Sequence, residues 1–194
     1  MQPKKVWAVY FSGTGTTEKT VRRIASGLST ALSAPMEVFD FTPPAARQAD
    51  LSFGPEDLVV LGVPTYAGRV PNVLLPYLTG KVHGAATPAV PVVLFGNRNF
   101  DDSLMELRNI MTANGFMPVA AAAFVGEHSF SRTLGAGRPN AADLTQMDDF
   151  ASTLTEVSDE YVYHLVEMGE TLYAIELGEA DASAAAEALL GEAA

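Results

Sequence analysis

The 194-residue chain contains no cysteine. That excludes disulfides, thiolate zinc sites, cysteine-ligated iron–sulfur clusters and cysteine nucleophiles together. Basic residues are scarce and unevenly placed. Against 23 acids there are 12 lysines and arginines, a net charge of −11. Residues 1–138 hold all 12 bases and 10 of the acids, a balance of +2, whereas residues 139–194 hold 13 acids and no base, a balance of −13. A chain this acidic repels nucleic acid and anionic membranes, so neither is expected as a partner. The acidic end serves as a solvated face, or it steers toward a basic protein partner. No apolar run approaches the roughly 18 residues of a spanning helix. The start, Met1 to Val6, has no apolar stretch of signal-peptide length. The expectation is a soluble, cytoplasmic protein.

What the chain does have is apolar content. Hydrophobic residues make up 48% of it, which excludes wholesale disorder. The length suits one domain, which at this size buries about 70% of its unfolded surface.

Short apolar runs alternate with helical periodicity. Lys5–Phe11, Met36–Phe41, Leu58–Pro64, Val90–Phe95 and Pro118–Val125 read as strands. Val21, Ile24, Ala25, Leu28 and Leu32 form one helical face within residues 16–32. Residues 42–57 read as loop, with a short helix over 72–79. Asp101–Asn114, capped by Asp101 or Asp102 and closed by Gly115, and Ala141 to about Ser158 read as longer helices. Continuous apolar strands between helices predict an α/β fold with a parallel sheet covered on both faces. Its ligand then lies beyond the carboxyl ends of the strands. Residues 159–194 are extra to this unit; Leu189-Leu190 in an Ala/Glu-rich stretch predicts an acidic, helical C-terminal extension that packs on the domain or on a second subunit. Both monomer and homodimer stay open.

The first strand ends in Ser12-Gly13-Thr14-Gly15-Thr16-Thr17. Glycines and hydroxyls at a helix N-terminus suit an anion, because backbone N–H groups point outward there and the helix dipole is positive. Three templates compete. A triphosphate loop and a dinucleotide fingerprint each require glycine where Glu18 stands, although Asp40 could serve the second as a ribose acid. A hydroxyl loop for a monophosphate, [ST]-x-T-G-x-T, is matched at every required position by Ser12, Thr14, Gly15 and Thr17. The plain alternative is a helix cap.

After the third strand come Pro64, Thr65, Tyr66, Ala67 and Gly68, then Arg69. Tyr66 offers a flat face for a heteroaromatic ring, and the small residues leave room at its edge. After the fourth come Gly96, Asn97, Arg98, Asn99 and Phe100. The amides can donate and accept at a ring edge, and Phe100 is either a second stacking face or core. His128, after the fifth strand, has no visible acid–base partner and reads as a hydrogen-bonded structural histidine.

Taken together, YFSGTGTTEKT, GVPTYAGRVPN, FGNRNFDDSLMEL, the Gly115-Phe116 pair, AAFVGEHSFS and GRPN occur in an order that resembles the flavodoxin half of flavodoxin–ferredoxin fusion proteins of anaerobes. The likeness spans about residues 4–157. It departs at Thr16, where many members have Asn, and at Phe100, where Tyr is expected. The fusion's cysteine-ligated part is absent.

The resemblance implies a flavodoxin-like three-layer sandwich over residues 1–158, with a five-stranded parallel sheet of order 2-1-3-4-5 and FMN at its switch point. By position, Ser12, Gly13, Thr14, Gly15, Thr16 and Thr17 hold the phosphate. Pro64, Thr65, Tyr66, Ala67 and Gly68 flank one side of the ring; Gly96, Asn97, Arg98 and Phe100 meet the other. The implied function is low-potential, one-electron transfer between redox proteins, a ferredoxin-like protein or a basic-surfaced reductase among them. The competing expectations are an FMN-dependent NAD(P)H or quinone oxidoreductase, with His128, Arg69 and Arg98 lining its pocket, and a flavin-free binding domain.

Overall fold

The computed structural model describes residues 3–131, 133–156, 162–167 and 171–176. Five parallel strands form the centre: Lys5–Tyr10 (β1), Met36–Asp40 (β2), Asp57–Pro64 (β4), Thr87–Phe95 (β6) and Ala121–Val125 (β8). Their order in the sheet is β2-β1-β4-β6-β8, the expected 2-1-3-4-5 arrangement. The inner strands carry unbroken apolar runs because both faces of the sheet are covered. Val59 to Leu61 and Val92 to Leu94 are buried whichever way their side chains point.

Helix Thr16–Leu32 (α1) lays Val21, Ile24, Ala25 and Leu28 on one face, at the predicted spacing. With Ala141–Glu156 (α4) it seals the side of the sheet formed by Val6, Ala8, Val60, Val92 and Phe124. The approach is close: a Cβ on Gly62 of β4 would lie 2.2 Å from Val21 Cγ2. The opposite side packs Val9, Leu61, Val63 and Val93 beneath Leu75–Gly80 (α2) and Ser103–Ala113 (α3).

Three features depart from the sequence reading. Leu51–Phe53 (β3), inside the expected loop, pairs in parallel with Val82–Gly84 (β5) in a small second sheet. Thr87 Oγ1 ties its edge by donating to the Phe53 and Gly54 carbonyls. Second, the expected strand 118–125 is broken. Phe116–Pro118 (β7) pairs with Thr87–Ala89, and β8 resumes against Val92–Phe95 with one extra residue between. The break falls beside Pro91, which has no N–H for a ladder.

Third, the helical extension expected over 159–194 is replaced, where described, by strands. Val162–Glu167 (β9) adds in parallel to β8, and Thr171–Glu176 (β10) returns antiparallel to β9. Both segments are rich in β-branched and aromatic residues, and the edge of β8 gives them a ladder to join. The described chain's last helix is α4 itself; Leu189-Leu190 lies outside the described residues.

Candidate anion and ring site at the carboxyl end of the sheet

The loops after β1, β4, β6 and β8 all open at one end of the sheet. They enclose a cavity of about 80 Å³. Gly13, Thr14, Thr16 and Thr17 line one side. Pro64, Thr65 and Tyr66 line the second, and Leu94, Phe95 and Gly96 the floor. Glu127, His128 and Ser129 close the third side. Among the described lining residues there is no lysine or arginine.

The first loop is an open helix end. Gly15, at φ 86°, turns the chain into α1 without a side-chain cap of its own. Ser12 supplies the cap: its Oγ accepts the Glu18 N–H at 3.0 Å, and its own N–H donates to Thr42 Oγ1 at 2.8 Å. Among the described residues, the N–H groups of Thr14, Gly15, Thr16 and Thr17 have no protein acceptor. The Thr14 and Thr16 hydroxyls lie 3.3 Å apart beside them. Orphan N–H groups, hydroxyls and the positive helix end make an anion cradle that needs no cationic side chain. Glu18, which breaks the other two phosphate templates, accepts a hydrogen bond from Tyr10 Oη at 2.9 Å and pairs with Arg22. Burial, with the Glu18 carboxylate adding, raises the Tyr10 phenol above its ordinary range.

In the second loop Tyr66 and Arg69 exchange backbone hydrogen bonds across a turn whose central residues, Ala67 and Gly68, both have positive φ. Tyr66 is 46% exposed, and its hydroxyl lies 3.7 Å from the position a Gly13 Cβ would take. Arg69 is committed elsewhere. Its guanidinium grips Glu106 at 2.6 and 3.0 Å, and Glu106 also accepts the Val70 N–H at 2.8 Å. The Arg69 bonds, then the Val70 N–H, hold the Glu106 carboxyl below its usual range.

The third loop places only Gly96 on the cleft. Asn97 and Asp101 take left-handed backbone, and Asn99 Oδ1 accepts the Asp101 N–H. Phe100 packs on Phe95 with ring centroids 5.5 Å apart, its core reading. Of the anticipated site residues, Ser12, Gly15, Ala67, Gly68, Asn97, Arg98 and Phe100 do not line the cavity.

The fourth loop adds Glu127 and Ser129, which the sequence reading did not single out, beside His128. His128 Nδ1 accepts N–H bonds from Phe130 and Ser131 at 3.1 and 3.2 Å. With Nδ1 occupied as acceptor, the neutral ring carries its proton on Nε2. The ring lies against Gly96, where a Cβ would come within 2.5 Å of Cδ2. So His128 is hydrogen-bonded within its loop, as the first reading has it, and lines the cleft, as the oxidoreductase reading has it. Lys19 Nζ, from α1, fastens the far end of this loop by donating to the Pro139 carbonyl at 2.9 Å.

No protein-family model and no curated protein sequence matches the chain. Solved structures do. Oxidised flavodoxin 2 from Bacillus cereus superimposes with a TM-score of 0.57 at 14% identity, over 78% of this chain and 98% of that one. A flavodoxin from the domain Archaea gives 0.53 at 15% identity, over 78% and 96%. The fold is that of the flavodoxins. The flavodoxin-like fold extends to the apo form of EmoB, an NADH:FMN oxidoreductase, with a TM-score of 0.56 at 15% identity over 81% and 91%. The cavity sits at the carboxyl ends of the strands, where β1 and β4 diverge to opposite edges of the sheet order, which is where a doubly wound sheet takes its ligand.

Proposed function

We propose that the chain binds FMN at this cleft and transfers single electrons at low potential between redox proteins. The observation that carries the reading is the open end of α1: unpaired N–H groups from Thr14 to Thr17, threonine hydroxyls beside them, and no cation in the lining. Such a cradle suits one phosphate ester and is too weak in charge for a triphosphate. The residues fit FMN at the phosphate end through Thr14, Thr16 and Thr17. Toward the ring, half-exposed Tyr66 and the His128–Gly96 wall are the fitting surfaces, and Phe100 is not. When bound, FMN supplies the redox chemistry, and the protein supplies position and electrostatics.

The chain's own contribution is largely electrical. Glu127 in the lining and exposed Asp101 and Asp102 nearby disfavour added negative charge on any bound group, which lowers the potential for taking up a further electron. An acidic molecule also selects partners with basic surfaces. The likeness to the flavodoxin half of fusion proteins belongs to this proposal, and the partners it suggests are a ferredoxin-like protein or a basic-surfaced reductase. Cytoplasmic residence is part of the same reading.

The carrier role is favoured over an NAD(P)H or quinone oxidoreductase by the cations. Arg69 is held by Glu106, and Arg98 does not reach the lining, so no guanidinium waits for a nicotinamide phosphate among the described lining residues. A potentiometric titration of the FMN-loaded protein tests the role. Two resolved one-electron steps, the lower one well below free FMN, are expected, with no steady NADH or NADPH oxidation in the presence of a quinone. A single two-electron step at the free-FMN potential, or sustained turnover, overturns it.

A further inference from the structure

The Ser12 N–H and Oγ both bond inside the protein, the first as donor to Thr42 and the second as acceptor from Glu18. Ser12 therefore acts as a strut, and the strut has an abutment on the next strand. Thr42, just past β2, accepts the Ser12 N–H through Oγ1 at 2.8 Å. Thr42 is itself fixed twice: its N–H donates to Asp40 Oδ1 at 2.8 Å, and its carbonyl accepts Arg47 Nη1 at 3.1 Å. The same Nη1 donates to the Phe41 carbonyl at 2.9 Å, and Phe41 N–H donates back to the Tyr10 carbonyl at the end of β1. The Arg47 guanidinium also covers the ring of Phe11, the residue before Ser12, at 5.7 Å. Among the described residues Arg47 makes no ion pair with a carboxylate.

We propose that Thr42 and Arg47 are the positioning residues of the anion loop. They touch no ligand. They fix Ser12, which caps Glu18 and thereby leaves the N–H groups of Thr14 to Thr17 converging and open. For the ligand's identity this inference rests on the FMN reading; for the loop it rests on geometry alone. An isosteric valine at position 42 keeps the volume and removes the acceptor, so Ser12 N–H is released and the loop's entry loosens.

The test compares the wild type with Thr42→Val, Thr42→Ser and Arg47→Met. Affinities for FMN and for riboflavin, which lacks the phosphate, are measured by quenching of flavin fluorescence. Hydrogen exchange at the Ser12 amide is followed in flavin-free protein. Thr42→Val is expected to weaken FMN about tenfold, a loss of about 1.4 kcal/mol, leave riboflavin unchanged and speed Ser12 exchange. Thr42→Ser is expected to restore all three, and Arg47→Met to weaken FMN selectively. Equal loss for both flavins, or none for FMN, overturns the inference. If the wild type binds inorganic phosphate but not FMN, the FMN reading falls. The same variants are then compared by phosphorus NMR, where unchanged phosphate binding in Thr42→Val overturns the positioning role. A wild type that binds neither ends both.

Discussion

Gly96 and His128 define one another. The imidazole lies where a side chain at position 96 would begin, 2.5 Å from an ideal Cβ. Gly96→Ala must push the ring away and break its bonds to the Phe130 and Ser131 N–H groups. The expected cost is about 1–3 kcal/mol in denaturant unfolding, the usual range for overpacking. Nitrogen NMR of the imidazole is expected to lose the Nε2–H tautomer; an unshifted spectrum contradicts the contact. Glu106 makes the other residue-scale prediction. Its carboxyl is depressed, so the folded chain binds fewer protons there than the unfolded one. The stabilisation is complete above the unfolded value, near 4.3, and is lost as pH falls through the lower folded value. Glu106→Gln is expected to flatten the acid limb of stability below about pH 4.3, with little change in its shape at neutral pH. Urea midpoints across that range check it.

Among the elements, α1 carries both the anion cradle and one wall of the core. Ile24 is fully buried between helix and sheet, so Ile24→Ala is expected to cost about 2–5 kcal/mol. Ile24 lies seven residues beyond Thr17, so FMN affinity of the folded fraction should stay unchanged; a parallel fall in affinity would show that the loop depends on core packing. This helix was legible in the sequence because its apolar spacing is local, and the inner strands β4 and β6 because their apolar runs are continuous. Gly13, Thr14, Thr16 and Thr17, which line the cavity, were legible as lining for the same reason, standing close together in one loop. What escaped was set at long range or by short elements. β3 and β5 are three residues each and exist only as a pair. The hold of Thr42 on Ser12 spans 30 residues, and that of Glu106 on Arg69 spans 37. Phe100 packs half-buried against Phe95 at the edge of the core, a choice that tertiary packing makes and loop composition does not. The β9–β10 hairpin shows the edge of β8 overriding an Ala/Glu-rich tail's helical look where the local residues are β-formers.

At the scale of the molecule, charge is divided along the chain: nearly balanced through Arg138 and wholly acidic after it. If the partner is basic-surfaced, electron exchange is expected to slow as salt rises from about 0.01 to 0.15 M, where the screening length falls from about 30 to 8 Å. Stopped-flow rates that do not change with salt contradict electrostatic docking. The central claim is the cofactor, and the most direct measurement is the visible absorption spectrum of the purified protein before and after addition of FMN, followed by gel filtration. A yellow protein is expected, with bands near ~370 and ~450 nm that co-elute with it, the bands being the flavin's own. A protein that elutes colourless after excess FMN contradicts FMN binding and leaves a flavodoxin-like fold whose cleft takes another ligand or none.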